Sequence, residues 1–159
     1  MVPGFCYADL MMHVSSELMR FVKGAEPVLR QITEEASSTP ALPGGWSRKQ
    51  LLGHLVDSAS NNHQRFVRAA LADSLDFPGY DQNGCVSVEA VNEFAWPDLV
   101  ALWVTYNRYL AHVIAHLPPA KLDVPCRIGS NESVTLAFLA EDYVRHLAYH
   151  LGQIGAAHD

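Results

Sequence analysis

Residues 142–154 read DYVRHLAYHLGQI, and with the residues just before them they decide the fold. At about 100° per residue, Leu136, Leu139, Ala140, Tyr143, Leu147, Leu151 and Ile154 form one apolar stripe. That stripe predicts a helix from about Thr135 to His158 with a single buried face. His146 and His150 fall on the inner edge of the stripe, one turn apart. Imidazoles at i and i+4 can turn toward one point, where a divalent ion would lie about 2.0–2.1 Å from each nitrogen.

The rest of the chain supplies three more such helices. Just upstream, Val124, Cys126 and Ile128 alternate before Gly129-Ser130-Asn131, which reads as a short hairpin or extended turn. A third helix opens with Pro97 in its first turn, runs to about Leu117 and is stopped by Pro118-Pro119. Before it, residues 76–94 (DFPGYDQNGCVSVEAVNEF) carry turn residues and weak periodicity. They predict a long ordered loop with one short helical turn at most. Ser47-Arg48-Lys49-Gln50 is a capping-box pattern that opens a helix to about Asp73. Residues 37–45 are a loop by their Pro and Gly content. From Tyr7 to about Glu35, Leu10, Val14, Leu18, Phe21, Ala25, Val28 and Ile32 keep helical spacing, with Gly24 and Pro27 interrupting. Two helices meeting near Lys23–Glu26, or one helix kinked there, both fit. At 159 residues, four amphipathic helices and little strand predict an all-α four-helix bundle, one domain over residues 1–159.

Composition narrows the function. Eleven Lys+Arg against 17 Asp+Glu give a formal charge of −6, which repels phosphate and argues against a nucleic-acid partner. No apolar run reaches the roughly 18 residues of a membrane span. The opening residues lack the pattern of a secretory signal, so the expectation is a cytoplasmic protein. Cys6, Cys85 and Cys126 form no Cys-x-x-Cys pair and read as reduced thiols.

Histidine placement is more informative. On the second helix, beside the stripe Leu51, Leu55, Ala59, Phe66 and Ala69, runs a polar column of His54, Ser58, Asn61 and Arg65, with Asp57 on its outer flank. Such a column costs stability unless its members are partnered. His112 and His116 repeat the i, i+4 spacing on the third helix. They fall opposite its stripe of Leu99, Leu102, Trp103, Tyr106, Leu110, Val113 and Leu117, so they are assigned to solvent. His63 points to the far side of its column, His13 sits one turn from Glu17 as an ion-pair or capping contact, and His158 belongs to the terminus. Three inward imidazoles would suit Zn²⁺, Ni²⁺, Co²⁺ or Fe²⁺ with positions left for water, as in catalytic sites. Core histidines bonded to ordinary partners are the alternative. Di-iron, c-type haem and one protease class are excluded, because Glu-x-x-His, Cys-x-x-Cys-His and His-Glu-x-x-His are absent.

WSRKQLLGHLVDSASNNHQRF (residues 46–66), FPGYDQ (77–82) and DYVRHLAYHLGQI (142–154), in that order and spacing, resemble the DinB-like superfamily. The likeness runs from roughly Glu17 to Ala157, leaving residues 1–16 as a variable N-terminal extension. It implies a four-helix bundle with a three-histidine metal site, whose positions match His54, His146 and His150. It also implies a divalent transition metal, zinc or nickel first, and a small-molecule substrate. Relatives include transferases that use a low-molecular-weight thiol such as bacillithiol or mycothiol, a mycothiol-dependent isomerase and metal-dependent hydrolases. The family's name implies no DNA binding.

On this reading Asp57, Ser58, Asn61 and Arg65 are candidates for orienting a ligand histidine or gripping substrate, with Asp57, Asn61 and Arg65 the catalytic candidates. A solvated Asp57 and an Arg65–Asp142 salt bridge are the plainer alternatives. Gln153 either lines the site or bonds a neighbouring helix. Trp46 and Tyr80 pack loop ends, and the loop over 77–82 could cover the pocket. A non-catalytic module stapled by a structural metal is the competing function. Relatives are often dimers, so a homodimer is allowed, though no feature here marks an interface.

Overall fold

The apolar stripes become four long helices linked by short elements. In the computed structural model, which describes residues 7–40 and 43–156, the order is α1 (Tyr7–Gln31), α2 (Glu34–Ser37), α3 (Arg48–Ala70), β1 (Leu75–Phe77), α4 (Gln82–Val88), α5 (Trp96–Ala115), β2 (Pro125–Ile128), β3 (Val134–Thr135) and α6 (Leu136–Ile154). The second, third and last helices of the sequence reading are α3, α5 and α6. Around the bundle, α1 packs on α5, α5 on α3, α3 on α6, and α6 back on α1. That order sets α3 and α6 side by side, so the polar edges of both can meet. No helix among the described residues is long and apolar enough to cross a membrane.

Side-chain caps set the helix starts. Ser47 Oγ accepts from the Gln50 N–H at 3.1 Å while Gln50 Oε1 accepts from the Ser47 N–H at 2.8 Å, the reciprocal pair that the sequence pattern predicts. Thr135 Oγ1 caps α6 through the Phe138 N–H, and α6 ends at Gly155. His158 and Cys6 lie outside the described residues.

Several expectations need correction. α1 runs as one helix through Pro27, so of the two readings offered for this segment the pair of separate helices is excluded. The missing N–H costs a bond to the carbonyl four residues back, but Ala25 and Leu29 flank it in the core and the Leu29 carbonyl accepts from Trp96 Nε1 at 2.8 Å. The buried face of α1 keeps Val14, Leu18 and Ala25 of the predicted stripe but is turned by roughly 50°: Met11, Val22 and Leu29 are buried, whereas Leu10, Phe21 and Val28 are only partly so. On α5, Leu102 is exposed and Val100, Val104 and Ile114 are buried.

Residues 76–94 hold more than a loop. Asp81 caps α4 by accepting from the Gly84 N–H, and a 3₁₀ turn follows over Val91–Glu93. β1 pairs in parallel with β2, and β2 antiparallel with β3, making a three-stranded sheet where only the hairpin was expected. Gly129 (φ 59°) donates to the Phe77 carbonyl at 2.8 Å, and a Cβ there would come within 3.3 Å of the Gly79 nitrogen.

Gly53, the residue before His54, allows the 3₁₀ turn to press on α3: a Cβ at this position would lie 2.8 Å from Val91 Cγ2. Alanine would gain about 1 kcal/mol of helix propensity and lose about 1–3 kcal/mol to overpacking. Gly53→Ala is therefore expected to lower the urea-unfolding free energy by about 1 kcal/mol. A stabilised variant would show that the turn yields freely.

Candidate metal centre

Because α3 and α6 are neighbours, the three inward histidines converge. His54 is fully buried, with the Trp46 ring 5.3 Å from its own, and His146 and His150 are half-buried. His146 Nε2 lies 3.2 Å from His54 Nε2 and 3.1 Å from His150 Nε2. One ligand nitrogen from each ring falls within 4.8 Å of the others. Two nitrogens about 2.1 Å from a shared ion and about 100° apart would be about 3.2 Å from each other, so the His54–His146 and His146–His150 spacings each fit a shared ion.

Hydrogen bonding fixes which nitrogens are free. Gln153 Nε2 donates to Tyr149 Oη at 3.2 Å, which leaves Gln153 Oε1 to accept from His150 Nδ1 at 2.7 Å. With Gln153 Oε1 facing Nδ1, this arrangement suits a His150 proton on Nδ1 and a bare Nε2 lone pair toward the cluster. His146 Nδ1 is 3.4 Å from Ser58 Oγ. A proton on His146 Nε2 could point at one neighbour but not both, so the cluster is not satisfied by its own hydrogens. His54 Nδ1 is buried and unpartnered among the described residues.

All three rings resist protonation. Burial, then the neighbouring His146 and His150, holds His54 down at about 4. Burial and His150 do the same to His146, also about 4, against an opposing pull from Asp142. Burial lowers His150 as well, partly offset by its bond to Gln153. The rings are neutral near pH 7, the form that ligates metal. From the ordinary 6.5 down to about 4, the unfolded chain takes up protons that the folded chain refuses. Stability is thus full above that window and falls as pH drops through it. The urea midpoint of chelator-treated protein is expected to decline over this range; a constant midpoint would contradict these shifts.

Beside the cluster opens a cavity of about 590 Å³ whose walls include His146, Ser58, Asn62, Arg65, Tyr80 and Asp142. The 77–82 loop does reach it, through Gly79, Tyr80, Asp81 and Gln82. Asn62, overlooked in the sequence, lines the cavity, whereas Asn61 bonds the Asp57 carbonyl at 3.0 Å and is not on that wall. Both lie close to the polar column, and only the position of α6 decides between them. Arg65 makes no salt bridge to Asp142, which bonds Arg145 instead.

Asp57 is half-buried rather than solvated and faces Glu89, a residue the sequence reading missed. Burial and the Asp57 carboxylate push Glu89 up to about 7, so near neutrality it can hold a proton for Asp57. Burial and the Asp57 charge push Tyr80 up to about 12, which keeps its phenol protonated. Elsewhere Glu17 hydrogen-bonds Arg20 and also feels the charge of His13, His63 Nδ1 is 3.2 Å from Tyr106 Oη, and His112 on α5 and His116 at its C-cap are exposed.

The family model of the DinB superfamily matches residues 22–154. The chain belongs to the DinB superfamily. The match contains all three histidines of the cluster. Within 138 aligned residues the chain is 28% identical to a Bacillus pumilus protein named "putative metal-dependent hydrolase", over 81% of this chain and 74% of that one. YfiT from Bacillus subtilis, described as "a probable metal-dependent hydrolase with an unusual four-helix bundle topology", superposes with a TM-score of 0.72 at 20% identity, covering 94% of this chain and 82% of that one. A mycothiol-dependent maleylpyruvate isomerase superposes with a TM-score of 0.77 at 13% identity, covering 96% of this chain. The DinB chain spans only 64% of that isomerase. At such identities the two structures speak for the fold, which they share with this DinB-superfamily member.

Proposed function

We propose that this protein is a metal-dependent hydrolase of a small molecule, in which His54, His146 and His150 hold one divalent transition ion, zinc or nickel. The observation that carries this reading is that His146 Nε2 lies 3.2 Å from His54 Nε2 and 3.1 Å from His150 Nε2, with a ligand nitrogen of all three rings within 4.8 Å of the others, beside an open cavity. Such an ion, when bound, supplies Lewis acidity and lowers the pKa of water or of a thiol. The chain's own groups do the positioning. Gln153 locks the His150 tautomer and Ser58 steadies His146, roles that second partners of ligand histidines commonly fill. Tyr80 offers a phenol proton at the cavity wall, and the Asp57–Glu89 pair holds a proton near neutral pH. Of the sequence candidates, Asp57 and Arg65 keep a place in this scheme; Asn61 only braces Asp57 through its carbonyl. The unpaired Cys85 and Cys126 are in keeping with a reducing, cytoplasmic location.

Transfer of a low-molecular-weight thiol is the second reading, supported by the likeness in fold to the mycothiol-dependent isomerase. A non-catalytic module is disfavoured, because structural zinc sites are almost always closed by four protein ligands and this cluster has three among the described residues. Zinc- or nickel-loaded protein is expected to hydrolyse members of an ester and amide panel, with turnover abolished by a chelator. Turnover only with an added thiol would favour the second reading. A filled site without turnover under either condition would favour the module.

A further inference from the structure

We infer that Arg65 is the receptor for a carboxylate on the substrate, so that the molecule processed is a small carboxylate whose other end reaches His146. This rests on the three-histidine cluster being the reacting centre. Arg65 is 9% exposed, and its Nε is buried with no partner among the described residues. Its one hydrogen bond, from Nη1 to Asn62 Oδ1, is long at 3.4 Å, and the guanidinium lies 5.5 Å from the Phe77 ring centroid. No described carboxylate is paired with it: Asp142 is bonded to Arg145, and Asp57 faces Glu89. Burial lowers the Arg65 pKa, yet a guanidinium stays charged in proteins.

A largely buried guanidinium with one long hydrogen bond and no carboxylate beside it is stabilised by an anion that reaches it. The cavity that Arg65 lines is where that anion can enter, and the planar fork of donors matches a carboxylate two-to-two. Tyr80, Asn62, Ser130 and Asn131 on the wall are neutral donors or acceptors, while Asp81 and Asp142 on the same wall repel a dianion about twice as strongly as a monoanion. A single carboxylate therefore fits better than a phosphate. Because Arg65 and His146 share the cavity, the bound anion would set which bond of the molecule faces the histidines.

The test compares phenylacetate with its neutral near-isostere phenylacetamide by titration calorimetry, on zinc-loaded and on chelator-treated protein. The acid is expected to bind about 10- to 100-fold more tightly than the amide in both forms. Arg65→Met should remove that preference with zinc content unchanged, and Arg65→Lys should restore part of it. In the wild-type protein the Arg65 Nε–H resonance should shift with phenylacetate and not with the amide, a readout that survives if a variant fails to fold. A preference retained in Arg65→Met, one present only with zinc bound, a resonance that does not move, or inorganic phosphate binding more tightly than phenylacetate would each overturn the inference. A wild-type protein that binds no zinc would sink the hydrolase reading alone, since the chelator-treated arm still tests Arg65.

Discussion

Replacing His146 with alanine is expected to strip the protein of its ion and lower its metal-dependent turnover by more than about 100-fold, beyond what loss of a second partner of a ligand typically does. His146 is the middle ring: its Nε2 is the one within 3.2 Å of both others, and its Nδ1 is the contact to Ser58. Without it, His54 and His150 remain on separate helices with two ligands between them. The side chain is half-buried at the cavity wall rather than in the core, so helical circular dichroism should be unchanged. His112→Ala, on the exposed pair of α5, is the matched control and should leave turnover as it was. Equal losses from both substitutions would mean that the cluster is not the site.

Phe66→Ala is expected to be the most damaging core change in α3, costing about 3–5 kcal/mol of a total that for such domains is about 5–15 kcal/mol. Phe66 is fully buried and meets Tyr143 edge to face, at 6.1 Å and 82°. The Tyr143 hydroxyl donates to Asn107 Oδ1, and Asn107 Nδ2 donates to the Trp103 carbonyl at 2.9 Å. One ring thus supports a chain of contacts through α6 and α5, three residues before His146. Urea unfolding monitored by circular dichroism measures the loss, and a cost below about 1 kcal/mol would show that the core collapses around the void.

The helices, their caps and the facing of the histidines were legible because each depends on residues within a turn or two of one another. Every member of the α6 stripe is buried, and the Ser47–Gln50 box forms as its spacing implies. The α1 stripe is right at Val14, Leu18 and Ala25 and off at its flank, because its many apolar positions leave two overlapping faces nearly equal and contact with α5 chooses between them. The parallel pairing of Leu75–Phe77 with Cys126–Ile128 joins segments about fifty residues apart, so no local pattern announces it. The same holds within the site. His54, His146 and His150 could be nominated from their own helices, but Glu89 beside Asp57 depends on how the 76–94 segment folds back over α3. Gln153 was visible in position, one turn after His150, but its role follows only from the bond it makes.

The most direct measurement is the transition-metal content of untagged protein after zinc loading and desalting, compared between the wild type and His54→Ala. That substitution removes the single ligand contributed by α3 and leaves both histidines of α6 in place. About one ion per chain in the wild type, as a single three-ligand site implies, and essentially none in the variant is the expected result. A wild-type chain that retains no zinc, or a variant that retains as much as the wild type, would contradict a centre built from both helices.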